Sequence, residues 1–187
     1  HRDLHSFPTR RSSDLFEAFA SLNYPPLVES GVHLKINRSN LLKPPPGKTT
    51  VRVSMAMDTQ IAVLRLFPGL NARVLNAILQ TKGLKVLILE TYGAGNAPTD
   101  DWFLKALRKS INEGLQIINV TQCPGGSVSM GQYETSQKLR ALQVIDGKDI
   151  TVEAAITKAM YLLGKSNTMG KFKELFETSL RGEMHQN

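Results

Sequence analysis

Residues 87–126 read LILETYGAGNAPTDDWFLKALRKSINEGLQIINVTQCPGG, and the order of signals in this stretch decides the fold. Val86–Leu89 is a short run of branched apolar residues, which suits a strand buried on both faces. Tyr92–Pro98 cannot extend that strand, because Gly93 and Gly95 admit positive φ and Pro98 has no N–H to donate. Thr99 is the expected helix cap, with Asp100 and Asp101 on the favourable side of the dipole. Phe103, Leu104, Leu107 and Ile111 recur at helical spacing, and Gly114 ends the helix. Leu115–Val120 is a second apolar strand, so the unit is βαβ. A right-handed crossover places both strand ends, Glu90–Asn96 and Asn119–Gly125, on the carboxyl edge of a parallel sheet, where open α/β sheets bind ligands.

Outward from this unit, Asn71–Gln80 predicts a helix whose buried stripe is Val74, Leu75 and Ile78. Ile61–Phe67 precedes it as a strand, and Thr49–Ala56 alternates as another. Arg38–Gly47 (RSNLLKPPPG) is a linker stiffened by three prolines. Gly31–Ile36 alternates like a half-buried strand, and Phe16–Ala20 reads as a helix tail stopped by Asn23-Tyr24-Pro25-Pro26. Downstream, helices are expected over Tyr133–Leu142, after a Thr151 cap, and over Phe172–Leu180, with Asp146-Gly147 as a turn. Residues 1–15 (HRDLHSFPTRRSSDL) show no apolar period; His5–Leu15 resembles the translation of a sequencing-library adapter. They are read as a disordered, non-native scar on a chain that starts in mid-domain.

The net charge is +7, of which residues 1–15 hold three arginines against two aspartates, leaving 7 − 1 = +6 for the rest. Its lysines and arginines are scattered and not interleaved with aromatics, so no nucleic-acid surface is expected. No apolar run approaches the roughly 18 residues of a membrane helix. One cysteine, Cys123, excludes an internal disulfide framework and suits a cytoplasmic setting, and four histidines offer no metal-ligand spacing. Gly93-Ala94-Gly95 is half of a dinucleotide fingerprint, but Pro98 stands at the third glycine position and no phosphate-loop lysine follows. No cofactor is expected.

ETYGAGNAP (90–98) followed by NVTQC (119–123), VIDGKDITVEAAITKAMYLLG (144–164) and the closing LRGEM (180–184) resembles the C-terminal domain of cytosolic, type I bacterial L-asparaginases. FEAFASLNYPPLVESGVHL (16–34) extends the resemblance towards the N-terminus. It implies a remnant of the N-terminal domain over residues 16–37, the linker over 38–48, and an α/β domain over 49–187 with a mainly parallel four-stranded sheet and helices on both faces. It also implies hydrolysis of L-asparagine to L-aspartate and ammonia by a homodimer or dimer of dimers. The threonine, aspartate and lysine motifs that do this chemistry in the family stand on the N-terminal domain; no TGGT-type motif occurs here, so no catalytic residue is assigned.

By the same resemblance, Asn96 and Tyr161 face the substrate of a neighbouring subunit, although a turn cap and a core tyrosine are the plain alternatives. Glu90 and Cys123 fall at an allosteric effector site where the family carries an arginine in place of Glu90. A glutamate there repels an effector carboxylate, so asparagine activation is expected to be absent or altered. Ser136 and Gln143 stand where the family often has glycine. The rival readings are an amidotransferase subunit acting on glutaminyl-tRNA and a non-catalytic small-molecule-binding α/β domain.

Overall fold

The structure, a computed structural model, describes residues 22–43, 47, 50, 53–131, 134–165 and 169–185. The chain divides into two compact units, His1–Leu41 and Leu42–Asn187. The expected scar and the Phe16–Ala20 helix tail lie outside the described residues.

In the first unit, β1 (Val28–Glu29) pairs antiparallel with β2 (Lys35–Ile36), with Val28 opposite Ile36. The expected half-buried strand over Gly31–Ile36 is therefore mostly loop, and its alternating side chains are exposed, Val32 at 97% and Leu34 at 70%. Alternation marks a strand that buries one face, and nothing among the described residues of this unit covers that face.

The second unit is built on a four-stranded, wholly parallel sheet in the order β3-β4-β5-β6. Its strands are Ile61–Arg65 (β3), Val86–Thr91 (β4), Gln116–Thr121 (β5) and Ile145–Asp146 (β6). Of the expected strand Thr49–Ala56, the described stretch Val53–Ala56 is irregular, and the fourth place in the sheet is taken by the two residues of β6, in the stretch read as a turn. Two residues are too few to show a period, so sequence alternation could not reveal β6.

Because the strands succeed one another in simple progression, right-handed crossovers force all three connecting helices onto one face. These are α1 (Ala72–Leu79), α2 (Asp101–Asn112) and α3 (Glu134–Ala141). Leu75, Phe103, Leu107 and Leu139 from these helices pack on Leu64, Leu87, Leu89 and Ile117. The other face is left for the two helices after β6, namely α4 (Val152–Gly164) and α5 (Phe172–Glu177). Ala155, Ala159, Leu162, Phe172 and Phe176 cover Val86, Ile88, Ile118 and Val120 there. Val86–Leu89 is fully buried, as a strand covered on both faces must be.

The helix ends differ in detail from expectation. Helix α2 is capped at Asp100, not Thr99, and no cap side chain bonds its backbone. Asn71 and Thr151 do cap α1 and α4 through their side chains. Val74 is 40% exposed and drops out of the α1 stripe, leaving Leu75 fully buried. Helix α5 stops at Glu177, three residues early, because the next turn is recruited elsewhere. Lys158 of α4, its side chain 4% exposed, puts its ammonium 2.6 Å from Glu183 Oε1 and 2.7 Å from the Thr178 carbonyl. The Glu183 carboxylate also accepts from the N–H groups of Leu180 and Arg181. Burial works to raise the Glu183 carboxyl, but the Lys158 and backbone hydrogen bonds outweigh it and hold it at about 2.

Candidate functional site

The carboxyl edge of the sheet gathers the ends of β4 and β5, as the βαβ order requires. Past Thr91 the chain turns at once: Tyr92 N donates to Asn96 O at 2.9 Å and Asn96 N to Tyr92 O at 2.8 Å. Gly93 and Gly95 have φ of +51° and +101°. Gly95 also has no room for a side chain, since a Cβ there would stand 2.8 Å from Val128 Cγ1 and 3.1 Å from Asn119 Nδ2.

Buried polar groups beneath the turn hold it. Asn119, fully buried on β5, accepts from Thr91 Oγ1 at 2.6 Å and donates to Gly95 O at 3.3 Å. Thr121 Oγ1 donates to Gly93 O at 2.5 Å, and the N–H of Ser129 to Ala94 O at 2.9 Å. On the rim, Thr135 Oγ1 of α3 donates to Asn96 Oδ1 at 2.5 Å. Asn96 is half-buried at the end of the turn.

Glu90 and Cys123 lie at the carboxyl ends of the adjacent strands β4 and β5. The Glu90 side chain is 12% exposed and pairs with Arg65, its register partner on β3, at 3.7 Å. Gln122 Nε2 bridges the Leu66 and Glu90 carbonyls at 2.7 and 2.9 Å, and fixes the three strand ends together. Cys123 is exposed, with its N–H donating to Thr121 Oγ1 at 3.0 Å.

Tyr161 is elsewhere. Helix α4 runs back along the sheet, so its C-terminal turn reaches the amino edge, where the Asp58 N–H donates to Met160 O at 3.1 Å just before β3. Tyr161 is half-buried there, with the Lys165 ammonium 4.2 Å from its ring centroid. The chain thus brings Asn96, Glu90 and Cys123 to one edge and sends Tyr161 to the other. Arg65, Asn119 and Thr135 were not singled out in the sequence. Asn119 stands between Ile118 and Val120 inside an apolar strand, and an amide flanked on both sides by branched apolar residues is the signal that could have marked it. Among the described residues no group of three or more His, Cys, Asp or Glu could hold a metal ion, and no helix is long and apolar enough to cross a membrane.

Known proteins carry the same architecture. The sequence profile of the Glutaminase/Asparaginase C-terminal domain matches residues 60–176. L-asparaginase 1 of Escherichia coli is 39% identical over 176 residues, covering 94% of this chain and 51% of that protein. A glutamyl-tRNA(Gln) amidotransferase subunit of Methanobrevibacter smithii is 26% identical over 170 residues, covering 91% of this chain and 38% of that protein. The crystal structure of L-asparaginase I from Vibrio cholerae superposes with a TM-score of 0.80 at 33% identity, covering 89% of this chain and 50% of that one. The chain is a member of the glutaminase/asparaginase C-terminal domain family, with that family's α/β fold. It spans about half the length of the two L-asparaginases named above.

Proposed function

We propose that the chain is the C-terminal half of a cytoplasmic L-asparaginase, which hydrolyses L-asparagine to L-aspartate and ammonia with a nucleophile carried on a preceding N-terminal domain. Amide hydrolysis needs a hydroxyl or thiol beside a base. The observation that carries the reading is the state of the carboxyl-edge hydroxyls: Thr91, Thr121 and Thr135 donate only to amide or carbonyl oxygens. None of these acceptors is a base, so none of these three hydroxyls is activated as a nucleophile. Asn96 reaches towards the substrate of a neighbouring subunit in a homodimer or dimer of dimers; Tyr161, on the opposite edge of the sheet, needs a different neighbour to meet a substrate. The reaction as read needs no metal or cofactor.

Ammonia release from L-asparagine by this 187-residue chain is expected at background, and by the protein with its N-terminal domain well above it. Turnover by the short chain would overturn the division of labour.

A second reading rests on the archaeal relative named for glutamyl-tRNA(Gln) and on the +6 net charge beyond residue 15, which arises as 7 − 1. Ammonia release from free asparagine, compared with release from glutamine in the presence of glutamyl-tRNA and from glutaminyl-tRNA, separates an asparaginase from an amidotransferase subunit.

A further inference from the structure

Gly164 is the last residue of α4, and its own backbone does not call for glycine. It is absent from the glycines of positive φ, and in a helix glycine is the poorest choice after proline. Space calls for it instead. A Cβ on Gly164 would overlap Ala56 O, and would stand 2.5 Å from the carbonyl carbon of Ala56 and 2.8 Å from Met57 N. All three are backbone atoms, which cannot swing aside as the end of a side chain can. One turn earlier in α4, Met160 O accepts the Asp58 N–H at 3.1 Å. The chain that leads into β3 therefore crosses the end of α4 backbone to backbone.

The same few residues are fastened on the side of the sheet. The Asp58 carboxylate accepts the Gln60 N–H at 2.9 Å and pairs with the Lys85 ammonium at 2.8 Å, at the entrance to β4. Gln60 O accepts the N–H groups of Lys85 and Val86 at 2.9 and 3.3 Å. Just upstream the chain is bare, with Val53 80% and Met55 87% exposed. Chain with so few buried contacts is the part that opens most easily.

We infer that residues 56–60 are a strap bound across the last turn of α4, that Gly164 is its seat, and that the chain ahead of the strap turns about Ala56. The strap goes beyond the proposed reaction and does not depend on it. It ties the amino ends of β3 and β4 to α4, and so fixes the point at which the linker joins the sheet. Alanine at position 164 would suit the helix and unseat the strap, two effects of opposite sign.

Amide exchange in the 187-residue chain, followed residue by residue by 15N NMR, separates them. In the wild type the Asp58 and Gln60 amides should exchange about tenfold or more slower than those of Ser54 and Met55, each relative to its unstructured rate. Equal rates would overturn the strap. Gly164→Ala should speed exchange at Asp58 and Gln60 about tenfold while leaving Ile88 and Leu89 unchanged. Retained protection at Asp58 and Gln60, with the higher Tm that alanine brings to a helix end, would overturn the inference.

If Gly164→Ala also loses protection at Ile88 and Leu89, its fold is lost and Asp58→Ala decides. That variant keeps the N–H at position 58 but removes the ties to Gln60 and Lys85. Faster exchange of this N–H upholds a strap that holds as one piece. Unchanged exchange there shows separate contacts, and overturns it.

Discussion

Asn119 is fully buried, and its amide serves two elements at once: the end of β4 through Thr91 and the glycine turn through Gly95 O. Asn119→Ala leaves the buried Gly95 carbonyl without this partner, at a cost of about 1–3 kcal/mol where it cannot rehydrate, while the Thr91 hydroxyl keeps the Val120 carbonyl at 3.2 Å. The expected fall in Tm is on the order of 10 °C, read by circular dichroism on thermal unfolding. At the neighbouring position, Glu90 keeps its carboxylate at the rim of β4 with Arg65 as its cation. That arrangement neutralises the glutamate but gives an incoming carboxylate no free guanidinium to grip in a bidentate pair. The full-length protein should therefore give a hyperbolic saturation curve with L-asparagine. A strongly sigmoidal curve abolished by Cys123→Ser would refute this.

At the scale of elements, the closing segment is held to α4 by charge as well as by apolar packing. Lys158 and Glu183 form a buried ion pair, and pairs of this kind are expensive to break because the remaining charge stays in the interior. Burial pushes the Lys158 ammonium below its usual value, against the pull of Glu183. The Glu183 carboxyl, depressed from the ordinary 4.5 to about 2, gives the linkage a definite sign. Its contribution to stability is complete above about pH 4.5 and is lost as the pH falls towards 2. Glu183→Gln should lower stability at pH 7 by about 3 kcal/mol. Denaturant titrations across the acid range should find a shallower dependence in the variant than in wild type, and parallel pH curves would show that the pair does not govern this window.

On the scale of the whole molecule, the two units differ in how much each buries. The strands of the first are exposed throughout, and a two-stranded hairpin without a covered face is marginal in water. The second holds apolar cores on both faces of its sheet. Limited trypsin digestion should cut first within residues 1–48 and leave an α/β product that begins in the linker, identified by intact mass. Early cleavage inside residues 60–176 would mean that the sheet unit does not stand by itself. Much of that unit was legible beforehand, because the βαβ order rests on local facts: apolar runs at Val86–Leu89 and Leu115–Val120, glycines that permit positive φ, and helical spacing from Phe103 to Ile111. The parallel sheet, the helices on both faces and the carboxyl edge with Asn96, Glu90 and Cys123 derive from them. Strand β6 was not legible, since Ile145–Asp146 becomes a strand only by pairing with Ile118–Asn119. Nor was the separation of Tyr161 from Asn96, which depends on the direction in which α4 crosses the sheet. The sequence by itself determined the elements and their order, because φ preferences and apolar periods act over a few residues. Tertiary structure alone decided which polar groups meet, such as Thr135 with Asn96 across 39 positions, because a hydrogen bond depends on distances that only the closed fold sets.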